Sequence, residues 1–73
     1  MERWYIKIHG TLKETPWEYG WSDSTRSWVL PFAPEMALFE TEAEASCRGI
    51  SLLIAALPEY DNSVVFEIVK CSV

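Results

Sequence analysis

Between Arg3 and His9 apolar and polar positions alternate. Trp4, Ile6 and Ile8 project one way; Tyr5, Lys7 and His9 project the other. A period of two is that of a half-buried β-strand, and Gly10 is expected to end it. Residues 11–27 carry a weaker signal. Thr15-Pro16 and Gly20 punctuate them, yet Trp17, Tyr19 and Trp21 alternate and predict a short second strand. Ser22-Asp23-Ser24-Thr25 is a polar turn cluster. Ser27-Trp28-Val29-Leu30 predicts a third strand, paired with 17–21 as a hairpin. Pro31 and Pro34 stop it and make residues 31–35 a rigid connection.

The period then changes. After the brief apolar run Ala37-Leu38-Phe39, Thr41-Glu42-Ala43-Glu44 has the form of a capping box, with Thr41 and Glu44 able to satisfy each other's backbone N–H. Ala43, Cys47, Ile50, Ile54 and Leu57 follow at steps of four and three, one helical stripe that Leu53 widens. Ser46 and Arg48 fall outside it, Gly49 weakens the middle, and Pro58 ends the helix. Asp61-Asn62-Ser63 turns the chain into a last strand, Val64–Cys71. Val64, Phe66 and Ile68 line one face of it, Val65, Glu67 and Val69 the other. Because both faces are largely apolar, this strand is expected at the centre of the sheet. The order is β-β-β-α-β in a single domain, residues 1–73. It predicts an α+β fold: an antiparallel sheet of three to four strands with one amphipathic helix packed on one face.

Composition sharpens this picture. A chain of 73 residues has room for one domain, and so small a domain needs an additional source of stability. With 49% hydrophobic residues and four tryptophans, that source is an aromatic-rich core. Trp4 and Trp28 are its expected members. The opening Met1-Glu2-Arg3-Trp4 runs straight into the strand pattern rather than a leader, and no apolar stretch approaches the roughly 20 residues of a membrane span. These features predict a cytoplasmic protein with reduced thiols. Nothing in the spacing of Cys47 and Cys71 supports a disulfide between them.

The formal charge of -5 argues against unaided nucleic-acid binding, which rests on neutralising phosphates with Lys and Arg. Residues 1–34 are neutral: Glu2, Glu14, Glu18 and Asp23 balance Arg3, Lys7, Lys13 and Arg26. The excess lies in residues 35–73, where Glu35, Glu40, Glu42, Glu44, Glu59, Asp61 and Glu67 face only Arg48 and Lys70. An acidic half suits a basic partner surface, though it also serves solubility.

Catalytic sets are thin. Cys47 or Cys71 with His9 is the only cysteine–histidine combination, and Cys47 falls on the expected buried stripe, where a cysteine behaves as a small hydrophobe. One histidine and two separated cysteines do not complete a zinc site. Glu40, Glu42 and Glu44 are explained by the helix cap and dipole without any ligand. The isolated glycines form no phosphate loop. No cofactor or metal is expected. What remains is an excess of aromatic rings. Trp17, Tyr19 and Trp21, near turns, are the candidates for an exposed anchor, since Trp and Tyr are enriched at interface hot spots. The competing reading is that Trp17 and Trp21 cover the second face of the sheet.

Leu38-Phe39-Glu40-Thr41-Glu42-Ala43-Glu44-Ala45, a helix, and Val64-Val65-Phe66-Glu67-Ile68-Val69 together resemble a pattern in small phage and mobile-element proteins. There a Phe-x-Thr strand end precedes an x-x-Glu-Ala helix and a closing hydrophobic strand. The resemblance covers the second half only. It implies a compact accessory protein of the anti-CRISPR or anti-defence kind, acting in the bacterial host cytoplasm. The expectation is therefore a non-enzymatic protein-binding module. Trp17, Tyr19 and Trp21 would anchor it, and Glu40, Glu42 and Glu44 would meet basic residues of a protein partner, with no direct nucleic-acid or membrane contact. The alternatives are a homo-oligomer, such as a homodimer, using its aromatics as self-interface, and a small metal- or ligand-dependent enzyme.

Overall fold

The computed structural model describes residues 1–56 and 64–73, without the side chains of Leu12 and residues 53–56. Strands β1 (Glu2–Leu12), β2 (Thr15–Ser22) and β3 (Ser27–Val29) precede the helix α1 (Glu42–Ala56), and β4 (Val65–Ser72) follows it. The four strands form one antiparallel sheet in the order β3-β2-β1-β4, so the α+β reading and its element order hold. The expected stop at Pro58 and the turn at Asp61-Asn62-Ser63 lie outside the described residues.

The sheet order corrects one expectation. The doubly apolar β4 is at an edge; β1 is central, between β2 and β4. Polar residues at alternate β1 positions made it look half-solvated. Lys7 nonetheless tolerates the centre because carboxylates on both neighbours face it: Glu18 of β2 at 3.1 Å and Glu67 of β4 at 3.9 Å. Such cross-strand charge pairs are a stabilising unit of sheets. Nor does Gly10 end β1, which runs on to Leu12. Lys13 and Glu14, both at positive φ (50° and 67°), then close a two-residue hairpin into β2. That is the geometry of a type I′ turn, built here without the usual Asn-Gly, which is why the sequence did not announce it.

The helix packs on the face that carries Trp4, Ile6 and Ile8. Ile6 is fully buried and Ile8 nearly so. The buried stripe of α1 is Ala45, Gly49 and half-buried Leu52; Ala43, Cys47 and Ile50 are exposed. The described part of the expected stripe is thus turned away from the sheet, since a shift of two residues at about 100° each is about 200°, within about 20° of a full reversal; the Ile54 side chain and Leu57 lie outside the described residues. Both stripes share the same four-and-three spacing, so period could not choose between them. Size does. Ala45 and Gly49 let the helix come close, and a Cβ on Gly49 would stand 3.0 Å from Ile68 Cδ1.

The other face is covered by the chain between β3 and α1. Two consecutive proline turns fold it back: Ala33 N–H donates to Leu30 O and Met36 N–H to Ala33 O, both at 3.0 Å. Phe32 takes φ 61° in the first, the left-handed position of a type II turn after Pro31. This places the Phe32 ring against Tyr5 at 5.2 Å and lays buried Met36 directly on Gly20. The segment then joins the sheet where β2 leaves β1. Trp4 and Phe39 exchange backbone hydrogen bonds of 2.9 and 2.7 Å, and Ala37 N–H donates to Trp21 O.

Candidate interaction surfaces

Trp17, Tyr19 and Trp21 alternate along β2 and share the face that carries α1. Their surroundings separate them. Trp21 is buried, 9% exposed; its Nε1 donates to Asp23 Oδ1 at 2.7 Å, and its ring meets Trp28 edge-to-face at 5.2 Å. Trp28 in turn reaches Phe66 at 5.9 Å, so these rings form a continuous aromatic layer. Trp21 therefore belongs to the core and leaves the exposed set. Trp28 is half-buried, as is Trp4, and Trp21 is the most buried tryptophan. Toward the β1–β2 turn the layer opens. Half-buried Trp17 and Tyr19, 40% exposed, lie side by side at 5.9 Å, and with Lys13 and Thr15 they line a shallow groove.

The acidic helix start is elsewhere. Glu40, Glu42 and Glu44 are all exposed. Thr41 Oγ1 accepts from Glu44 N–H at 3.1 Å, the first half of the capping box, and both helical carboxylates stand in the first turn of α1, where the dipole favours them. Thr41 follows Phe39, the bridge partner of Trp4, whereas Trp17 pairs with Gly10. Trp4 and Gly10 are six residue steps apart along β1, about 20 Å at 3.3 Å per step. The aromatic pair and the acidic cluster thus occupy opposite ends of the domain. A second link crosses beside the helix start: Arg48 Nε lies 3.3 Å from Asp23 Oδ1, so one carboxylate ties α1 to the Trp21 indole.

The titratable groups gather on the other face. The Glu18 carboxylate raises the Lys7 pKa above its usual value, against a smaller opposing effect of partial burial. Burial raises that of the Tyr5 phenol. His9 Nε2 lies 3.2 Å from Glu67 Oε1, within ion-pair distance but without hydrogen-bond alignment. The sequence held these residues, but only the strand order brings Glu18, Lys7 and Glu67 into one row. Cys47 is exposed on the outer side of α1, a correction to its expected burial, and Cys71 is half-buried. Cys71 pairs with Arg3 and His9 with Val65, again about six residues apart along the sheet. Cys47 and His9 are on opposite sides of the sheet, so neither thiol meets the imidazole. Among the described residues no three His, Cys, Asp or Glu side chains converge as metal ligands. No helix among them is long and apolar enough to cross a membrane.

No family model, no curated protein and no solved structure matches this chain.

Proposed function

We propose that this protein is a protein-binding module without a catalytic role of its own, and that its anchor is the Trp17–Tyr19 pair. The observation that carries this reading is the division of the aromatic layer. Trp21 is buried and meets Trp28 edge-to-face, while the next two rings of the same face, half-buried Trp17 and exposed Tyr19, lie at the open rim. Rigid amphipathic rings at an open rim offer large contact area at little entropic cost. Trp21 supports that rim from the core rather than touching a partner.

The partner we infer is a protein with a basic surface, as the -5 charge favours. The sharpest form of the proposal is an anti-defence inhibitor that blocks a nucleic-acid-binding surface by occupying it. Glu40, Glu42 and Glu44 would then steer the encounter from the far end of the domain, an effect weakened by salt.

The test is affinity capture from bacterial lysate with nuclease present, at low and moderate salt, comparing the wild type with Trp17→Ala/Tyr19→Ala. The expected result is a stoichiometric protein partner that the double variant loses while its circular dichroism is unchanged. Capture that is indifferent to the two rings would overturn the anchor. Charge reversal at Glu40, Glu42 and Glu44 that left the salt dependence unchanged would remove the steering role.

A further inference from the structure

The β4 strand has the sequence of a central strand and the position of an edge strand. Apolar residues occupy both of its faces: Phe66 and Ile68 under the helix, Val65 and Val69 on the other. Natural edges are blunted by short strands, prolines, bulges or unpaired charges. The opposite edge follows that rule, since β3 has three residues and runs into Pro31. In contrast, β4 has eight residues and no proline. Its two charges are already engaged within the chain, Glu67 with Lys7 and His9, Lys70 with Glu2 at 3.0 Å. They therefore call for no counter-charge from outside.

The direction of the β4 backbone follows from its pairing with β1. Met1 and Val73 exchange both backbone hydrogen bonds, each 2.8 Å, so Met1–Val73 is a hydrogen-bonded pair. Alternation in an antiparallel ladder makes Arg3–Cys71, Tyr5–Val69 and Lys7–Glu67 hydrogen-bonded as well. The N–H and C=O groups of Ile68, Lys70 and Ser72 then point away from β1, along the edge.

We infer that this edge pairs with the same edge of a second copy, giving a twofold dimer with a continuous eight-stranded antiparallel sheet and β4 at its centre. Three observations favour a second copy over an unrelated strand. The first is chemical: an edge without free charge and apolar on both faces is complementary to itself. The second is register. A twofold axis through Glu67 or Lys70 would oppose like charges directly, which is destabilising. Axes at Ile68 or Val69 avoid this, and both bring the outward backbone groups of Ile68 against those of the partner's Ile68 or Lys70. The third is spacing. Because α1 lies over β1 and β4, two copies joined at β4 hold their helices two strand spacings apart, about 10 Å. That matches the interaxial distance of packed helices. Among the described residues, Ile50, 58% exposed in the single chain and beside Ile68 in the cleft along β4, is the large apolar side chain placed to lie between them. The dimer accounts for both the displaced apolar strand and the outward apolar residue of the helix, and it leaves Trp17 and Tyr19 free.

Sedimentation equilibrium over a concentration series tests this. The expected species has twice the 8.4 kDa mass of the chain. Lys70→Pro removes an N–H that the ladder turns away from β1, a tolerated position for proline at an edge. Ile50→Glu places a charge at an exposed helix position. Each should raise the dimer dissociation constant about tenfold or more, because the twofold axis removes every contact twice, with unchanged circular dichroism. Ile50→Glu keeps the test decisive should the proline variant misfold. A monomeric wild type throughout the range would overturn the inference. So would a dimer that survives both substitutions but is lost in Trp17→Ala/Tyr19→Ala. Failure here leaves heterologous binding at the aromatic rim untouched, and failure of capture leaves the dimer untouched.

Discussion

The two faces of the sheet are closed by different means. On one, α1 lies across β1 and β4 beside the aromatic layer, and the cover is a regular element with small residues at the contact. On the other, two proline turns press Met36 onto Gly20 and Phe32 onto Tyr5, and beyond them the Glu18–Lys7–Glu67 row faces solvent. The helix face is mostly apolar, with the Glu2–Lys70 ion pair at one end of it, and should hold most of the folding free energy. The turn face depends on shape at one glycine and on charge order at one lysine. A small domain can thus close one side of a sheet with a single irregular segment, provided the sheet leaves a gap for it.

The comparison is broken most directly at Ile6. It is fully buried between Ile68 and the helix. Ile6→Ala should cost about 2–5 kcal/mol through lost transfer energy and the cavity left behind. That is comparable to the whole stability expected of so short a chain, so urea unfolding followed by far-UV circular dichroism should find little folded protein. A loss under about 1 kcal/mol would mean that the helix face is not the main store of stability.

On the turn face the sensitive point is Gly20. A Cβ there would collide with Met36 Sδ and lie 2.8 Å from its Cγ. Gly20→Ala should therefore cost about 1–3 kcal/mol by overpacking. Met36 is flexible, and truncating it makes room, so Gly20→Ala/Met36→Ala should lose less than the sum of the two single changes. Strict additivity in that cycle would show that Gly20 is needed for some reason other than Met36.

A stabilising change sits between the faces, at the turn that joins β1 to β2. Lys13 and Glu14 hold φ of 50° and 67°, conformations that cost a non-glycine residue roughly 1–2 kcal/mol. Lys13→Asn with Glu14→Gly supplies the residues that a type I′ turn favours. It should raise stability by about 1 kcal/mol, or about 4–8 °C in Tm for a domain of this size. A thermal melt that moves down instead would show that Lys13 contributes something along the Trp17–Tyr19 groove that outweighs the turn.

The same contrast explains what could be read in advance. Alternation at Trp4–His9 and at Trp17–Trp21, together with the cap at Thr41, located the strands and the helix, because each is a local pattern with a local cause. Sheet order was not legible. Placing β4 at the centre followed from its composition, and the burial of Lys7 depends on carboxylates contributed by two other strands. The phase of α1 was ambiguous because Ala43–Cys47–Ile50 and Ala45–Gly49–Leu52 have the same spacing. Met36 over Gly20 has no periodic signature at all. Of the three anchors expected from the sequence, Trp21 shows the limit most clearly. It shares period and face with Trp17 and Tyr19, and only its contacts with Trp28 and Asp23 place it in the core.

The smallest expected effect is electrostatic, and it belongs to the turn face alone. Lys7 is held protonated by Glu18, and the Tyr5 phenol is kept neutral by burial. Both native pKa values are raised, so in each case the folded chain binds the proton more tightly than the unfolded chain does. The resulting stabilisation is complete below the unfolded values of about 10 to 10.4 and is lost as pH rises through the native ones. From these two groups the urea midpoint should be flat between pH 7 and 9 and fall in the alkaline range above about 10. Tyr5→Phe keeps the ring against Phe32 but removes the phenolic proton, and Lys7→Gln removes the ammonium. Each should flatten part of the alkaline fall, and both together most of it, while the helix face is unaffected. An alkaline fall of the same size in the double variant would place its origin outside the row, and the turn face would then be held by shape at Gly20 rather than by charge.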